Sequence, residues 1–266
     1  MNIKLVAIDV DDTLLDSENK MTTKTIVILK KAIKNGIKIV MASGRPLTGT
    51  QEIYQELGID NKNNQYAMNF NGGLISSTSG EILVQDTLSI IEAQKLYKIA
   101  KNLGVYLQLE TNNCVYTPYT QIPVYTLIDG QVMNTPVKRL NLEKLKKTDH
   151  FAKAMFVGDP ERINKAYKLP QLIKFYNIKA SSPSYLEINH KGISKSYGLK
   201  ELAKKLSLNI NQTMAIGDGE NDIPMIKTAG IGVAMANGTD EIKKQADFIT
   251  RSNDEDGVAL AVKKFI

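Results

Sequence analysis

Short, almost wholly apolar runs recur near both ends of the chain and alternate there with segments of helical periodicity. Two such runs occupy residues 3–10 and 37–43, and an amphipathic segment from about Thr23 to Asn35 lies between them and stops at Gly36. Apolar runs without polar alternation are typical of parallel strands covered on both faces, and glycine is a common residue just beyond a helix end. The pattern therefore predicts a strand, helix, strand unit.

The same alternation continues along the chain and resumes near its end. A second helix is predicted from roughly Leu47 to Leu57, followed by a strand that ends in an Asn-Gly turn at 71–72. Further buried strands are predicted at 213–219, 230–235 and 246–250. We therefore predict an α/β fold whose core is a doubly wound, mostly parallel sheet.

The middle of the chain has a different pattern. Polar helical segments alternate there with short strands that contain aromatic residues, and six of the eight prolines lie in this part. The segment is long enough to form a domain of its own. We predict a discontinuous core domain at residues 1–83 and 188–266, interrupted by an inserted α+β domain at 84–187.

Composition narrows the classes of function. No run approaches the roughly 18 apolar residues needed to cross a bilayer, and the chain does not open with a basic, apolar leader, so a cytoplasmic protein without membrane contact is expected. The single cysteine, Cys114, fits a reducing compartment and a packing role. The net charge is +6, but no basic stripe is interleaved with aromatic residues, so nucleic acid is not an expected partner.

Polar residues follow several of the predicted strands on one edge of the sheet, the edge that forms the binding crevice of open α/β folds. They lie in four stretches, at residues 9–15, 42–46, 192–196 and 217–222. Carboxylates gathered at this edge would repel one another unless a cation lay among them. The acids concerned are Asp9, Asp11, Asp218 and Asp222.

A magnesium ion (Mg²⁺) would neutralise these acids, because magnesium prefers oxygen ligands and commonly bridges carboxylates to a substrate phosphate. The other stretches suit the phosphate itself. Ser43 and Gly44 offer a hydroxyl and backbone amides, and Lys195 offers a cation at a helix start. The pattern therefore indicates a site for magnesium and a phosphorylated ligand.

The four stretches together make the chain similar to the haloacid dehalogenase (HAD) superfamily, specifically its Cof-type (subfamily IIB) phosphatases. The motifs are DVDDTL at 9–14, SGRP at 43–46, Lys195 within GISKS, and GD with ND in GDGEND. The resemblance implies a HAD-like core with an inserted cap of the C2 type that closes over the site. It also implies magnesium-dependent hydrolysis of phosphate monoesters of small metabolites, with sugar phosphates expected.

The resemblance further implies a role for each motif residue. Asp9 would be the nucleophile that forms an aspartyl-phosphate and would also bind magnesium. Asp11 would be the general acid and base, and its backbone carbonyl would bind the metal. Asp218 would complete the protein ligands, with Asp222 either as a ligand or as a holder of the site. The groups implied to bind the phosphoryl oxygens are the amides of Val10 and Gly44 and the side chains of Ser43, Lys195 and Asn221.

Two other functions stay open at this stage. A phosphomutase would use the same aspartyl chemistry but return the phosphoryl group to a sugar, and a non-catalytic sensor would bind a phosphometabolite without turnover. Asp12, where the wider family usually has glycine, has no catalytic role in this interpretation but must accept the conformation of the turn. Neither the physiological substrate nor the oligomeric state follows from the sequence.

Overall fold

The computed structural model describes residues 2–146 and 149–266, and the chain divides into two compact units. The first unit contains Met1–Gly44, Thr50–Val84 and Ser194–Ile266, and the second contains Arg45–Gly49 and Gln85–Ile193. A strand spans the predicted boundary between residues 187 and 188, and the domain limits stay a prediction.

The first unit opens with the predicted alternation of strands and helices. Gly36, with φ of +86°, follows the first helix, and a left-handed Gly58 caps the second. This second helix begins later than predicted, because Leu47–Thr50 forms a 3₁₀ turn. The elements are β1 (Leu5–Ile8), α1 (Thr23–Lys34), β2 (Lys38–Met41), α2 (Gln51–Leu57), β3 (Tyr66–Asn69), β4 (Leu74–Ser77) and β5 (Ile82–Gln85).

The second unit contains the middle of the chain and mixes helices with mostly antiparallel strands. Its elements are β6 (Leu88–Ser89), α3 (Ile90–Leu103), β7 (Tyr106–Thr111), β8 (Cys114–Thr117), α4 (Val124–Val132), β9 (Val137–Arg139), β10 (His150–Phe151), β11 (Lys153–Val157), α5 (Pro160–Tyr167), α6 (Pro170–Phe175), β12 (Tyr176–Ser182) and β13 (Tyr185–His190).

The chain then returns to the first unit with a second run of alternating elements. These are α7 (Lys195–Lys205), β14 (Thr213–Gly217), α8 (Ile223–Thr228), β15 (Ile231–Ala234), α9 (Asp240–Lys243), β16 (Phe248–Ile249) and α10 (Gly257–Phe265). The helices found in the described part of the chain are too short or too polar to span a lipid bilayer.

A five-stranded sheet forms the centre of the first unit, in the order β16-β15-β14-β1-β2. Every pairing in it is parallel. All residues of β1 are buried, which explains why its sequence shows no polar alternation. The prediction of an α/β fold with a mostly parallel central sheet is therefore confirmed.

A six-stranded sheet forms the centre of the second unit, in the order β12-β13-β11-β7-β8-β9. One face of it carries apolar side chains such as Leu107, Leu109 and Phe156, which belong to a core cluster together with residues of α3 and α5. The other face carries buried polar side chains, including Glu110 and Lys153. The helices and the apolar face together give this unit its own hydrophobic core.

Candidate active site

The carboxyl ends of three neighbouring strands bring the first site residues to one edge of the parallel sheet. In the register of the sheet, Ile8 at the end of β1 lies opposite both Met41 of β2 and Ile216 of β14. Asp9 directly follows β1, and its amide donates a hydrogen bond to the Ile216 carbonyl (3.0 Å). Asp218 directly follows β14.

Lys195 is the centre of the charge cluster. Its ammonium Nζ donates hydrogen bonds to Oδ1 of Asp9 and to Oδ1 of Asp222, the latter at 2.7 Å. The Lys195 side chain is 1% exposed, and Asp222 is completely buried. Lys195 is the first residue of α7, whose N-cap Ser194 accepts a hydrogen bond from the Tyr197 amide. A cation at a helix start is tolerated here because two carboxylates face it.

Both carboxylate oxygens of Asp222 are engaged by the protein. Oδ1 accepts from Lys195, and Oδ2 accepts from the backbone amides of Asp218 (3.3 Å) and Gly219 (3.1 Å). A Cβ on Gly217 would lie 2.5 Å from Asp222, so glycine is required for this close approach. These contacts favour a role for Asp222 in holding Lys195 and the turn after β14.

Asp218 has a partner to which the sequence analysis gave no role. The Thr13 hydroxyl donates a 2.6 Å hydrogen bond to Oδ1 of Asp218, across 205 positions of sequence. Thr13 is 1% exposed. Thr13 belongs to the DVDDTL motif, and its signal in the sequence was a single hydroxyl residue directly after the acids.

Asp9, Asp11 and Asp12 lie in a tight turn that directly follows β1. β1 ends at Ile8, and the Leu15 amide closes a single helical turn by donating to the Val10 carbonyl (3.0 Å). Within this turn, Asp9 (φ −63°, ψ 155°) and Asp11 (φ −74°, ψ 133°) keep extended backbone conformations. Asp12 has φ of +57°, so the turn conformation that it has to accept is left-handed.

Ser43 and Gly44 follow β2 and pack against a second tight turn. Ser43 is buried, and its carbonyl accepts a hydrogen bond from the Asn71 amide (2.9 Å). Phe70, Asn71 and Gly72 all have positive φ, which is uncommon for non-glycine residues. Asn221, the last predicted phosphate-binding residue, lies exposed in the 3₁₀ turn after β14.

Burial dominates the electrostatics of the cluster. It raises the pKa of Asp9 to about 8, although Lys195 acts against this shift and Asp222 adds to it. Burial also raises the pKa of Asp218. Burial disfavours the Lys195 ammonium, but the carboxylates of Asp9 and Asp222 outweigh that effect and raise its pKa. Three carboxylates thus face one ammonium, and the site carries excess negative charge.

This donor set fits a hard divalent cation. Asp9, Asp218 and Asp222 each place a carboxylate oxygen so that the three atoms lie within 4.8 Å of one another. Magnesium takes oxygen ligands of this kind and would offset the charge that Lys195 leaves unbalanced. Asp9 and Asp218 are the better placed ligands, because both oxygens of Asp222 already accept hydrogen bonds.

Known proteins are similar to this chain over nearly its whole length. Residues 6–262 match the family model described as haloacid dehalogenase-like hydrolase. A Streptococcus pyogenes serotype M6 protein named as a candidate phosphatase is 35% identical over 269 residues, covering 100% of this chain and 99% of the relative. A Bacillus subtilis protein named 5-amino-6-(5-phospho-D-ribitylamino)uracil phosphatase is 30% identical, covering 100% of this chain and 97% of that protein.

Solved structures show the same architecture. A haloacid dehalogenase-like hydrolase from Bacteroides thetaiotaomicron superposes with a TM-score of 0.87 at 30% identity, covering 99% of this chain and 100% of that one. A HAD subclass IIB sugar phosphatase has a TM-score of 0.77 at 24% identity, covering 98% of both chains, and so shares the fold. The similarity therefore includes both compact units.

Proposed function

Because this chain belongs to the haloacid dehalogenase-like hydrolases and is a phosphatase of that family, we propose that it hydrolyses phosphate monoesters of small metabolites through an aspartyl-phosphate on Asp9. The observation that carries the proposal is the buried cluster in which Lys195 contacts both Asp9 and Asp222, with the Asp218 carboxylate beside them. A buried nucleophile, a fixed cation and a second acid are the groups that phosphoryl transfer requires.

In the first step, an oxygen of the Asp9 carboxylate attacks phosphorus and the ester P–O bond breaks. Asp11, two residues further along the same turn, donates a proton to the departing alkoxide, which leaves as the alcohol. Lys195 holds the Asp9 carboxylate in place and neutralises charge that develops on the phosphoryl oxygens. Further hydrogen bonds to the phosphoryl oxygens come from the amides of Val10 and Gly44 and from the side chains of Ser43 and Asn221.

In the second step, water attacks the phosphorus of the aspartyl-phosphate. Asp11 now accepts a proton from that water, the P–O bond to Asp9 breaks, and inorganic phosphate is released with both aspartates restored. Asp11 therefore acts as acid and then as base, which matches its place in an exposed part of the turn.

Magnesium is the proposed cofactor, held by the side chains of Asp9 and Asp218 and by the Asp11 carbonyl. When bound, it would neutralise phosphate charge and keep the Asp9 carboxylate ionised. Asp222 would orient Lys195 and the turn that carries Asp218. Thr13 would fix the Asp218 carboxylate through its 2.6 Å hydrogen bond.

Phosphorylated sugars and sugar alcohols are the proposed substrate class. The support is the B. subtilis relative at 30% identity over the whole chain, whose named substrate carries its phosphate on a ribityl chain. Specificity within the class depends on side chains that vary while the fold stays the same.

The test is phosphate release from a panel of sugar phosphates, sugar alcohol phosphates and p-nitrophenyl phosphate, with magnesium or with chelator. We expect wild-type protein to release phosphate only with magnesium and Asp9→Asn to release none. Asn keeps the shape of the side chain but is a poor nucleophile, so loss of activity with an unchanged melting temperature would implicate the chemistry of Asp9. Equal release by Asp9→Asn and wild type would refute the proposal.

A further inference from the structure

A second set of hydrogen bonds holds the turn that carries Asp9 and Asp11. The carbonyl of Asp12 accepts a 2.7 Å hydrogen bond from Nδ2 of Asn237, a residue in the loop after β15. Oδ1 of Asn237 in turn accepts a 3.1 Å hydrogen bond from the backbone amide of Asn253. The two bonds fix the orientation of the Asn237 amide, because a flipped amide would lose both.

The loop after β16, which contains Asn253, holds the segment after β1 at two further points. Nδ2 of Asn253 donates to the Leu15 carbonyl (3.0 Å), and Oδ1 of Asp254 accepts from the Ser17 amide (2.8 Å). Asn253 and Asp254 begin the 3₁₀ turn that follows β16. The loops after β15 and β16 therefore contact the loop after β1, over more than 220 positions of sequence.

The contact at Asp12 has a particular importance, because Asp12 is left-handed (φ +57°) and has a Cβ. A non-glycine residue in this region is strained by the approach of its Cβ to the backbone, so an isolated turn would leave this conformation. A change of φ at Asp12 would rotate the peptide that joins it to Asp11. The hydrogen bond from Asn237 to the Asp12 carbonyl opposes this rotation.

We infer that Asn237 is a positioning residue, which holds the left-handed Asp12 and thereby fixes the direction of Asp11 toward the reacting phosphate. Asn237 does not contact the carboxylate cluster in this assignment, and it acts through the backbone of the turn. The inference rests on the proposed function for its effect on turnover, whereas its structural part concerns the turn alone.

The assignment predicts a specific rescue. Glycine adopts positive φ without the steric cost of a Cβ, so the turn of an Asp12→Gly variant needs less support. Asn237→Ala should therefore reduce turnover strongly when residue 12 is aspartate and weakly when it is glycine. A general loss of folding would not depend on residue 12 in this way.

The experiment compares wild type, Asn237→Ala, Asp12→Gly and the double variant, using p-nitrophenyl phosphate with saturating magnesium. Asn209→Ala is the matched control, because Asn209 makes a similar exposed hydrogen bond, from its Oδ1 to the Asn211 amide, in a turn before β14. We expect Asn237→Ala to lower kcat about tenfold with KM changed less than about twofold. We expect Asn209→Ala to leave both constants at wild-type values and the double variant to recover most of kcat.

Hydrogen exchange of the peptide covering residues 9–15 gives a measurement that does not depend on activity. Faster exchange there in Asn237→Ala, and not in Asn209→Ala, is the expected result. Unchanged exchange, unchanged kcat, or a loss of kcat that Asp12→Gly fails to reduce would overturn the inference. If the wild type releases no phosphate, the proposed function fails, and the exchange rates alone then decide the role of Asn237.

Discussion

At the scale of single residues, the site depends on the buried ammonium of Lys195, which the carboxylates of Asp9 and Asp222 share. Lys195 is the cation that contacts the acids of the cluster, and it reaches Asp9 across 186 positions and Asp222 across 27. Taking a buried carboxylate out of water is costly unless a cation and hydrogen bonds compensate. Lys195 therefore stabilises the folded site, and in the proposed mechanism it also neutralises phosphoryl charge.

This sharing predicts the outcome of Lys195→Met, which keeps the unbranched apolar stem of the side chain and removes its ammonium group. Activity should fall by about 10³-fold or more, and stability at neutral pH should fall by roughly 3 kcal/mol, because two buried carboxylates lose their partner. Lys200→Met, at an exposed position of the same helix, is the control and should leave both quantities unchanged. Steady-state kinetics and urea unfolding measure the two effects, and wild-type activity in Lys195→Met would contradict the assignment.

At the scale of elements, a close contact places α7 and therefore Lys195. Gly72, in the turn after β3, has φ of +92°, and a Cβ there would lie 2.6 Å from the Ser194 carbonyl and 3.0 Å from Gly198. The Asn71 amide of this turn also bonds to the Ser43 carbonyl. A single turn thus sets the positions of two predicted phosphate-binding motifs.

Gly72→Ala should therefore reduce both stability and activity, whereas Gly36→Ala should reduce stability alone. Both glycines have similar positive φ, so alanine is strained at either position by about 1 kcal/mol. A Cβ on Gly36 meets nothing within 4 Å, while one on Gly72 would push α7 outward. The melting temperatures of the two variants measure the backbone strain that they share, and kcat measures the displacement of α7 that only Gly72→Ala should cause. Equal kcat in the two variants would show that the contact does not position Lys195.

The polar face of the second unit's sheet forms another buried charge cluster. Lys153 lies 3.3 Å from Glu110 and 3.9 Å from Glu187, and the Gln108 amide donates to Glu110 and Asp129. Burial raises the pKa of Glu110 to about 7, in spite of the nearby Lys153. Burial opposes the charge of Lys153, but the surrounding carboxylates raise its pKa. A single ammonium, that of Lys153, is again surrounded by three acidic side chains, those of Glu110, Glu187 and Asp129.

The raised pKa of Glu110 gives a stability that depends on pH. The folded protein binds this proton more tightly than the unfolded chain, so the contribution of Glu110 is complete below its ordinary pKa of 4.5 and is lost as pH rises through about 7. Glu110→Gln resembles the protonated form. We expect its melting temperature to exceed that of wild type by several degrees at pH 8 and to match it at pH 5. Glu143→Gln, at an exposed position, is the control. The prediction would be contradicted if Glu110→Gln differed from wild type by the same melting temperature at pH 5 and pH 8, or if it behaved like Glu143→Gln.

At the scale of the whole molecule, cofactor binding and folding are linked. The proposed magnesium ligands come from the loops after β1 and β14, which meet only in the folded first unit. A ligand at 100 times its dissociation constant stabilises a protein by about 2.7 kcal/mol, which corresponds to roughly 5–10 °C in melting temperature for a domain of this size.

Magnesium should therefore raise the melting temperature of wild type, and a chelator should reverse the change. Asp218→Asn should show little of this shift, because it removes one proposed ligand. Glu220→Gln, at an exposed position of the neighbouring turn, should shift as wild type does. Differential scanning calorimetry measures the change in each protein. A full magnesium shift in Asp218→Asn would exclude Asp218 as a ligand.

The sequence by itself determined the alternation of strands and helices, the parallel central sheet and the membership of the family. These features follow from local signals, since burial on both faces suppresses polar alternation and glycine marks helix ends. It also predicted that Asp9, Lys195, Asp218 and Asp222 lie close together, because residues at strand ends and helix starts meet at one edge of a parallel sheet, and their side chains form one cluster.

Only the tertiary structure decided which atoms meet. The bond from Thr13 to Asp218, the two bonds that occupy Asp222, and the support of Asp12 by Asn237 join residues through packing that no local pattern records. β1 ends at Ile8, and Asp9 and Asp11 keep extended backbone in the turn that follows it, with Asp12 left-handed. Hydrogen bonds depend on distances of a few tenths of an ångström, which long-range packing sets and residue spacing does not.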